Sequence, residues 1–273
     1  MEFSSPKVTF YGNAICPFAH RGWMALKEKD IPHEFVHVPL SGELKTIETM
    51  GVEASFGWKD SGLSYEQILK IKNDYIANVN PSGAVPAVVC DGRIITEADV
   101  VAEFLDDRFP DLGTRLLPPD PFMRARLRTY HKILSGSAGV EAGYGLLKNQ
   151  DPAMDVAKRD KVYSGLRQFV ELADPEGPFF LGDTFSFADV MLAPFYDRFR
   201  YTLKEYRGVD MVPIDEQAHP WVMRFKKWAS AIEARKSFKE TALNKDHYVS
   251  SYKGYAGDRG KSQISQEATN SKL

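Results

Sequence analysis

Two hydrophobic patterns alternate through residues 1–109. Short apolar runs of four to seven residues predict β-strands, and apolar positions three or four residues apart predict α-helices. The predicted strands are residues 7–11, 33–39, 87–90 and 93–96, and the predicted helices are residues 17–29, 65–79 and 96–109. This mixture predicts an α/β domain.

The rest of the chain shows only the helical pattern. A polar, proline-bearing linker at residues 110–119 leads into an apparently all-helical domain at residues 120–255. Residues 256–273 are polar and lack periodicity, so they predict a disordered tail. Helices are predicted at residues 121–147 with a bend at 135–145, and at 154–172, 190–206 and 220–237, the last of these being the final core helix.

Residues 40–63 follow neither pattern. They contain four glycines together with Phe56 and Trp58. An irregular segment of this length inside a compact domain is uncommon and is usually functional or mobile. Two interpretations stay open: a surface loop whose aromatic side chains pack on the core, or a flap beside a substrate pocket.

Cys16 has the sequence context of a reactive thiol. It follows the first predicted strand and a turn at Gly12 and Asn13, and it precedes Pro17. Because proline favours the first helical position, Cys16 should lie at the N-terminus of the next helix. Free N–H groups and the helix dipole there favour a thiolate, which is the nucleophilic form of cysteine. The alternative for an isolated cysteine is a small buried side chain without chemistry.

Composition narrows the class of protein. The chain has 273 residues, a formal net charge of −2 and only two cysteines, Cys16 and Cys90. The charge gives no indication of nucleic-acid or anionic-membrane binding, and no apolar run approaches the ~18 residues of a membrane span. Two cysteines form no disulfide framework, which indicates a reducing compartment. We expect Cys90, at a strand end, to be structural, and no histidine spacing indicates a metal site.

The last three residues are Ser271, Lys272 and Leu273. This tripeptide is the address that a peroxisomal import receptor reads. We therefore expect the import receptor as a partner and a peroxisomal location, with the cytoplasm as the default without that signal.

The tetrapeptide Cys16-Pro17-Phe18-Ala19 after a strand resembles the active-site motif of omega-class glutathione transferases. The resemblance covers roughly residues 7–255. It implies a thioredoxin-like N-terminal domain followed by an all-α C-terminal domain. Because position 19 is alanine, no Cys-x-x-Cys pair exists and a dithiol mechanism is not expected. Omega enzymes have a short connection where residues 40–63 stand, so this segment is interpreted as an insertion.

Further matches to the family imply a glutathione site. Val85 and a cis Pro86 would pair with the cysteinyl part of glutathione through the backbone, as an added strand does. Glu97 would accept from the γ-glutamyl amino group, and the helix start at Ala98 would donate to the α-carboxylate. The family has serine where Ala98 stands, which puts the affinity for glutathione in question. Lys72 takes the place of a lysine that reaches the glycyl carboxylate. The full set of expected glutathione-binding residues is Phe18, Lys72, Val85, Pro86, Glu97 and Ala98.

The resemblance implies a glutathione-dependent thiol transferase. Cys16 would form a mixed disulfide with glutathione and act on small disulfides, dehydroascorbate or S-glutathionyl substrates. A co-substrate pocket between the domains would use Tyr130, His247 and Tyr248. Glutathione is the expected co-substrate, with no covalently bound cofactor, no metal, no nucleic-acid or membrane partner, and a homodimer as the assembly.

Two alternatives stay open at this stage. A conjugating, ether-cleaving or thioether-cleaving transferase would activate glutathione through a serine or tyrosine, and Tyr11 is near enough in sequence to raise that possibility. A non-catalytic glutathione-fold binding protein is favoured by the Ala98 departure and by the segment 40–63.

Overall fold

The computed structural model describes residues 7–137, 140–215 and 220–257. The chain divides into two compact units, Met1–Arg115 and Leu116–Leu273. The boundary falls within the proline-bearing segment 110–119. Each unit is described by itself below.

The first unit is built on a four-stranded mixed sheet in the order β2-β1-β3-β4. Strand β1 pairs in parallel with β2 and antiparallel with β3, and β3 pairs antiparallel with β4. This α/β architecture confirms the predicted fold class. The elements, in chain order, are β1 Val8–Gly12, α1 Pro17–Glu28, β2 Glu34–His37, α2 Ser41–Met50, α3 Tyr65–Asn78, β3 Ala87–Cys90, β4 Arg93–Thr96 and α4 Ala98–Arg108.

The strands predicted at residues 87–90 and 93–96, separated by Asp91-Gly92, form the hairpin that such a dipeptide favours. Asp91 and Gly92 form its two-residue turn, with φ values of 50° and 78°. Positive φ at both central residues is the geometry that matches the twist of an antiparallel pair, and Asp-Gly is a sequence that adopts it.

The prediction that residues 40–63 are irregular is wrong. This segment contains the ten-residue helix α2 and a short 3₁₀ turn at Val52–Ala54. Ile47 and Trp58 form a small core with Ile68 of α3, with each side chain at most 3% exposed. The glycines concealed the helix because most of them lie beyond its C-terminus, where they end the helix or form turns. Trp58 packs on the core, as the first of the two sequence interpretations expected.

Helices α1 and α4 are tied together by a buried ion pair. Lys29, which follows α1, donates to Asp106 of α4 at 3.0 Å, and both side chains are fully buried. Arg115 reaches the same carboxylate at 3.4 Å. This pair fixes the end of the helix that begins beside Cys16.

The second unit is helical in all of its regular elements that the structure describes. The stretch 121–147, predicted as helical with a bend, forms two helices. A 3₁₀ turn at Pro152–Met154 precedes α7. The helices are α5 Pro121–Ser137, α6 Val140–Leu147, α7 Asp155–Leu172, α8 Phe187–Arg207, α9 Trp221–Ala234, α10 Lys236–Thr241 and α11 Lys245–Ala256.

Helix α9 is not the last core helix, contrary to the sequence prediction. Helix α11 buries Tyr248, Tyr252 and Ala256. Arg207, fully buried at the end of α8, donates to the Ala256 carbonyl at 2.7 Å and so holds the end of α11. Helix α11 escaped the sequence analysis because its buried residues are tyrosines and an alanine among polar neighbours.

Asp189 lies three residues after Ser186, a spacing that predicts a capping role at the start of a helix, and the structure confirms that role. Its carboxylate accepts from the Ser186 N–H and hydroxyl, each at 2.8 Å, at the start of α8. It also accepts from the Phe180 N–H at 2.9 Å and the Trp228 indole N–H at 2.8 Å. Four donors on one buried carboxylate join the start of α8 to α9.

Candidate active site

Cys16 is the N-cap residue of α1, and Pro17 occupies the first helical position. The residue is half-buried and its sulfur forms no disulfide bond. The thiol donates to the Val85 carbonyl at 3.9 Å. The predicted strand–turn–helix placement of this cysteine is therefore confirmed.

Asn13 holds the turn that carries Cys16. Its carbonyl accepts from the Cys16 N–H at 3.0 Å, and its side-chain oxygen accepts from the Ile15 N–H at 2.9 Å. Its amide donates to the Val38 carbonyl at 3.0 Å. Asn13 is 1% exposed, so this turn is fixed from the interior of the unit.

The chain next to the Cys16 thiol contains a cis peptide bond between Val85 and Pro86, as predicted. Side chains of α3 and the following turn hold the residues before it. Lys72 donates to the Gly83 carbonyl at 2.6 Å, and the Tyr75 hydroxyl donates to the Ala84 carbonyl at 2.5 Å. The segment that the resemblance assigns to glutathione is thus a braced backbone beside the thiol.

Arg21 supplies positive charge near the thiol. It lies on α1 and is 5% exposed. Burial lowers the pKa of Arg21 to about 10, against the attraction of Asp99 and Cys16. The arginine remains charged at neutral pH and favours a thiolate at Cys16, in addition to the helix N-terminus.

The residues predicted to bind the γ-glutamyl end of glutathione lie at the start of α4, whose local structure differs from the expected one. Glu97, rather than Thr96, is the N-cap residue of α4, and no side-chain hydrogen bond caps this end. Thr96 and Asp99 have the spacing of a capping box in the sequence, but α4 begins one residue later than that box requires, so a capping box predicted at these two residues is wrong. Glu97 has φ 69°, in the left-handed region, where a non-glycine residue costs about 1–3 kcal/mol and such strain clusters at functional sites. Ala98 is the first helical residue and is buried.

The side chains that flank Cys16 on α1 differ from each other in exposure. Phe18 is 39% exposed and stacks with the Arg21 guanidinium at 5.3 Å, so it offers apolar surface beside the thiol. His20 is completely buried. From its place one turn beyond Cys16, the sequence predicts a helix-surface position for His20; this prediction is wrong, because α1 is covered on that face as well.

Lys72 is less available to a ligand than the sequence suggested. It is 7% exposed, and its ammonium group already donates to the Gly83 carbonyl. Burial lowers the pKa of Lys72, and attraction to Glu43 opposes this effect. If the glycyl carboxylate of glutathione binds Lys72, it binds an ammonium group that also holds the Gly83 carbonyl, in the segment beside the thiol.

Four residues of the site were not found from the sequence: Asn13, Arg21, Glu43 and Tyr75. The helical pattern assigns Arg21 to the surface, whereas it assigns Tyr75 to the apolar positions of the predicted helix 65–79 without indicating the hydrogen bond of its hydroxyl. Burial raises the pKa of the Tyr75 hydroxyl to about 12, so this tyrosine acts as a hydrogen-bond donor. Asn13 lies in the turn that the sequence predicts at Gly12 and Asn13, and its role there is the one signal available, because asparagine side chains form hydrogen bonds that hold turns.

Cys90 contrasts with Cys16. It is 3% exposed at the end of β3. Burial and the neighbouring Asp91 raise the pKa of the Cys90 thiol. A buried thiol with a raised pKa is a poor nucleophile at neutral pH.

The three residues expected in a co-substrate pocket lie in the helical unit. Tyr130 accepts a hydrogen bond from Arg126 Nε at 2.9 Å, and His247 Nδ1 lies 2.8 Å from the Asn244 side-chain oxygen. Tyr248 is completely buried, and its hydroxyl donates to Asp197 at 2.5 Å. This contact gives Tyr248 a role inside the helical core.

Other kinds of site have little support within residues 7–137, 140–215 and 220–257. No group of three or more histidine, cysteine, aspartate or glutamate side chains could hold a metal ion there. None of the helices in these ranges is long and apolar enough to cross a bilayer. Residues 256–273 include the tripeptide 271–273, which lies outside the described residues.

Comparison with known proteins agrees with this geometry. The family profile "Glutathione S-transferase, N-terminal domain" matches residues 15–108, and "Glutathione S-transferase, C-terminal domain" matches residues 138–233. Protein LigF of a Sphingobium strain is 39% identical over 79 residues, which are 27% of this chain and 31% of that protein.

Longer matches come from omega-class proteins. Rat glutathione S-transferase omega-1 is 24% identical over 194 residues, covering 70% of this chain and 67% of that protein. The crystal structure of glutathione transferase Omega 3C from Trametes versicolor matches with a TM-score of 0.69 and 28% identity, covering 89% of this chain and 91% of that chain.

A mixed sheet with a helix-capping cysteine beside a cis-proline, followed by a helical unit, defines a thioredoxin-like enzyme with an appended all-α domain. The chain belongs to the glutathione transferase superfamily, in its omega-like part, and is a glutathione transferase. Glutathione is the co-substrate that this family uses.

Proposed function

We propose that this protein is a glutathione-dependent thiol transferase that acts through Cys16. The observation that carries the proposal is the position of its thiol, which is accessible at the open N-terminus of α1 and 3.9 Å from the Val85 carbonyl. A cysteine at this point attacks sulfur or electrophilic carbon itself, whereas serine or tyrosine would only support a glutathione thiolate.

The reaction proceeds by two thiol–disulfide exchanges. The Cys16 thiolate attacks the glutathione sulfur of a mixed disulfide, a Cys16–glutathione disulfide forms, and the substrate leaves as a thiolate that takes up a proton. A second glutathione thiolate then attacks the glutathione sulfur bound to Cys16. Oxidised glutathione leaves, and Cys16 returns to the thiolate form. In sum, the mixed disulfide is reduced to a thiol, one free glutathione is consumed, and both glutathionyl groups leave together as oxidised glutathione.

The surrounding residues support each part of this cycle. Arg21 and the helix N-terminus stabilise the thiolate before the attack and after the release. The Val85 backbone, with Glu97 and Ala98, would hold glutathione, while Phe18 would cover its apolar side. Holding the two sulfurs together raises their effective concentration.

Substrates of the proposed class are small glutathione mixed disulfides, dehydroascorbate and S-glutathionyl compounds. A panel of a glutathione mixed disulfide, dehydroascorbate and a chloronitrobenzene acceptor separates this proposal from the two alternatives. We expect turnover of the disulfide by the wild type and none by Cys16→Ser. Turnover of the acceptor alone would indicate a conjugating transferase, and no turnover of any substrate would indicate a binding protein; either result contradicts the proposal.

A further inference from the structure

The carboxylate of Glu43, on helix α2, lies among buried groups next to the turn that carries Cys16. Its Oε2 accepts from the Asn13 side-chain amide at 2.6 Å and from the Leu40 N–H at 2.8 Å. A charge-assisted pair at this distance is among the stronger hydrogen bonds in proteins. Helix α2 is therefore connected to the turn that carries Cys16 by one carboxylate.

The surroundings of Glu43 leave it little freedom to move. A Cβ atom at Gly57 would lie 2.4 Å from Glu43 Oε1, so glycine at position 57 makes room for the carboxylate. The Trp58 indole N–H faces the same carboxylate outside good hydrogen-bond geometry. Ile47, one turn further along α2, anchors the helix in the small core with Trp58.

Asn13 transmits this constraint to the reacting residue. The amide end of Asn13 is held by Glu43 and the Val38 carbonyl, while its two oxygens accept from the N–H groups of Ile15 and Cys16. An asparagine amide can rotate by a half turn, which would exchange its donor and its acceptor. The Glu43 carboxylate can only accept, so it keeps the amide nitrogen on its own side and the oxygen on the Ile15 side.

We propose that Glu43 is a positioning residue for Cys16, acting through Asn13 to fix the turn on which the thiol lies. The inference deepens the proposed function and rests on it for its kinetic part. Helix α2 would then belong to the active site. Loss of the Glu43 carboxylate would change the position of the Cys16 thiol, although Glu43 itself is not among the residues expected to bind glutathione.

The test uses two variants of Glu43 that keep its volume. Glu43→Gln retains an oxygen that accepts from Asn13 and Leu40, whereas Glu43→Met retains none. Glu48→Ala is the matched control, since Glu48 is an exposed carboxylate on the same helix. The first measurement is the rate of alkylation of Cys16 by iodoacetamide in the absence of glutathione, at a temperature where circular dichroism shows each variant folded.

We expect Glu43→Met to slow alkylation of Cys16 by about tenfold, since a displaced turn moves the thiol away from the N-terminus of α1 and from Arg21 and so lowers the fraction of thiolate. Glu43→Gln should keep most of the wild-type rate, and Glu48→Ala all of it. In the thiol-transfer assay, Glu43→Met should lower kcat by a similar factor and change KM for glutathione by less than about twofold. A merely structural role would lower the melting temperature and leave the alkylation rate unchanged.

An unchanged alkylation rate in folded Glu43→Met overturns the inference, and so does a Glu43→Gln rate as low as that of Glu43→Met. Should Glu43→Met not fold, Asn13→Ala removes the other half of the same hydrogen bond and must slow alkylation at least tenfold; an unchanged rate there also overturns it. Alkylation needs no glutathione, so a wild type without thiol-transfer activity would refute the proposed function and leave this test intact.

Discussion

Lys72 and Glu97 are the two charged side chains assigned to the ends of glutathione. Both should bind the co-substrate without taking part in the chemistry. We expect Lys72→Ala and Glu97→Ala each to raise KM for glutathione by about 10- to 100-fold, with a smaller change in kcat, because each removes a charge-assisted contact of roughly 1.5–3 kcal/mol. Steady-state kinetics with varied glutathione measures this.

Lys70→Ala is the matched control for Lys72, because Lys70 lies on the same helix with its side chain 74% exposed. It should leave KM unchanged. Since Lys72 also donates to the Gly83 carbonyl, Lys72→Ala should lower stability as well, whereas Glu97→Ala should not. Unchanged affinity for glutathione in both Lys72→Ala and Glu97→Ala would show that the family alignment misplaces the site.

The positions of single residues were predictable where the backbone preferences of proline determine them. Cys16 followed from proline at the first helical position, and the cis bond before Pro86 followed from the family match. Arg21, Glu43 and Tyr248 were not predictable, because a charged or polar side chain is assigned to the surface unless its partner is known. Each has a partner on another part of the chain that no local pattern encodes: Asp99 attracts Arg21, Asn13 donates to Glu43, and Asp197 accepts from Tyr248.

The buried ion pair between Lys29 and Asp106 connects α1 with α4. Asp106→Ala should lower the free energy of unfolding by about 3–5 kcal/mol, since it leaves the Lys29 ammonium buried without its carboxylate. Urea unfolding followed by circular dichroism gives the value. Asp111→Ala, at an exposed carboxylate just beyond the end of α4, is the control and should change it by less than about 0.5 kcal/mol. Equal effects of the two variants would contradict this role for the pair.

His37 gives strand β2 a pH-dependent stability. Its ring stacks on Trp58 at 4.5 Å, and burial lowers the pKa of His37 from 6.5 to about 4. Between these values the unfolded chain binds a proton that the folded chain does not, so stability is complete above pH 6.5 and falls as the pH drops towards 4.

His37→Phe keeps a ring against Trp58 and removes the titration. Compared with this variant, the wild type should lose about 2 kcal/mol more unfolding free energy between pH 7.5 and pH 5. Urea unfolding at the two pH values measures the difference. Parallel losses in the two proteins would mean that His37 titrates alike in the folded and unfolded chains.

Elements with a clear period were predictable, and those with mixed composition were not. The hairpin at Asp91 and Gly92 and helix α3 have the expected positions. Helix α2 was missed because only Ile47 of its ten residues is buried, so its apolar residues do not form a recognisable helical period. Helix α11 was missed because tyrosines supply its buried face.

At the scale of the whole molecule, the sequence predicted the α/β unit followed by a helical unit, because the change of hydrophobic period is visible without any knowledge of contacts. A homodimer stays a prediction, since it depends on surfaces rather than on periodicity. The location in peroxisomes also stays a prediction, and it rests on Ser271, Lys272 and Leu273.

Transplantation tests the targeting signal apart from the rest of the chain. A fluorescent protein that ends in residues 256–273 should give punctate signal that coincides with a peroxisomal marker, because the import receptor reads an exposed C-terminal tripeptide. The same fusion without Leu273 should be diffuse. Diffuse signal from the intact segment would refute the expected address.

The central claim is that Cys16 is a single-thiol nucleophile for glutathione. The most direct measurement is intact-protein and peptide mass spectrometry after incubation of the native protein with oxidised glutathione. The Cys16 thiolate should displace one glutathione thiolate and retain the other as a mixed disulfide. The account predicts one glutathione per chain, on Cys16, with none on Cys90 and none on the Cys16→Ser variant. Glutathione on Cys90, or a Cys16 that stays unmodified, would contradict it.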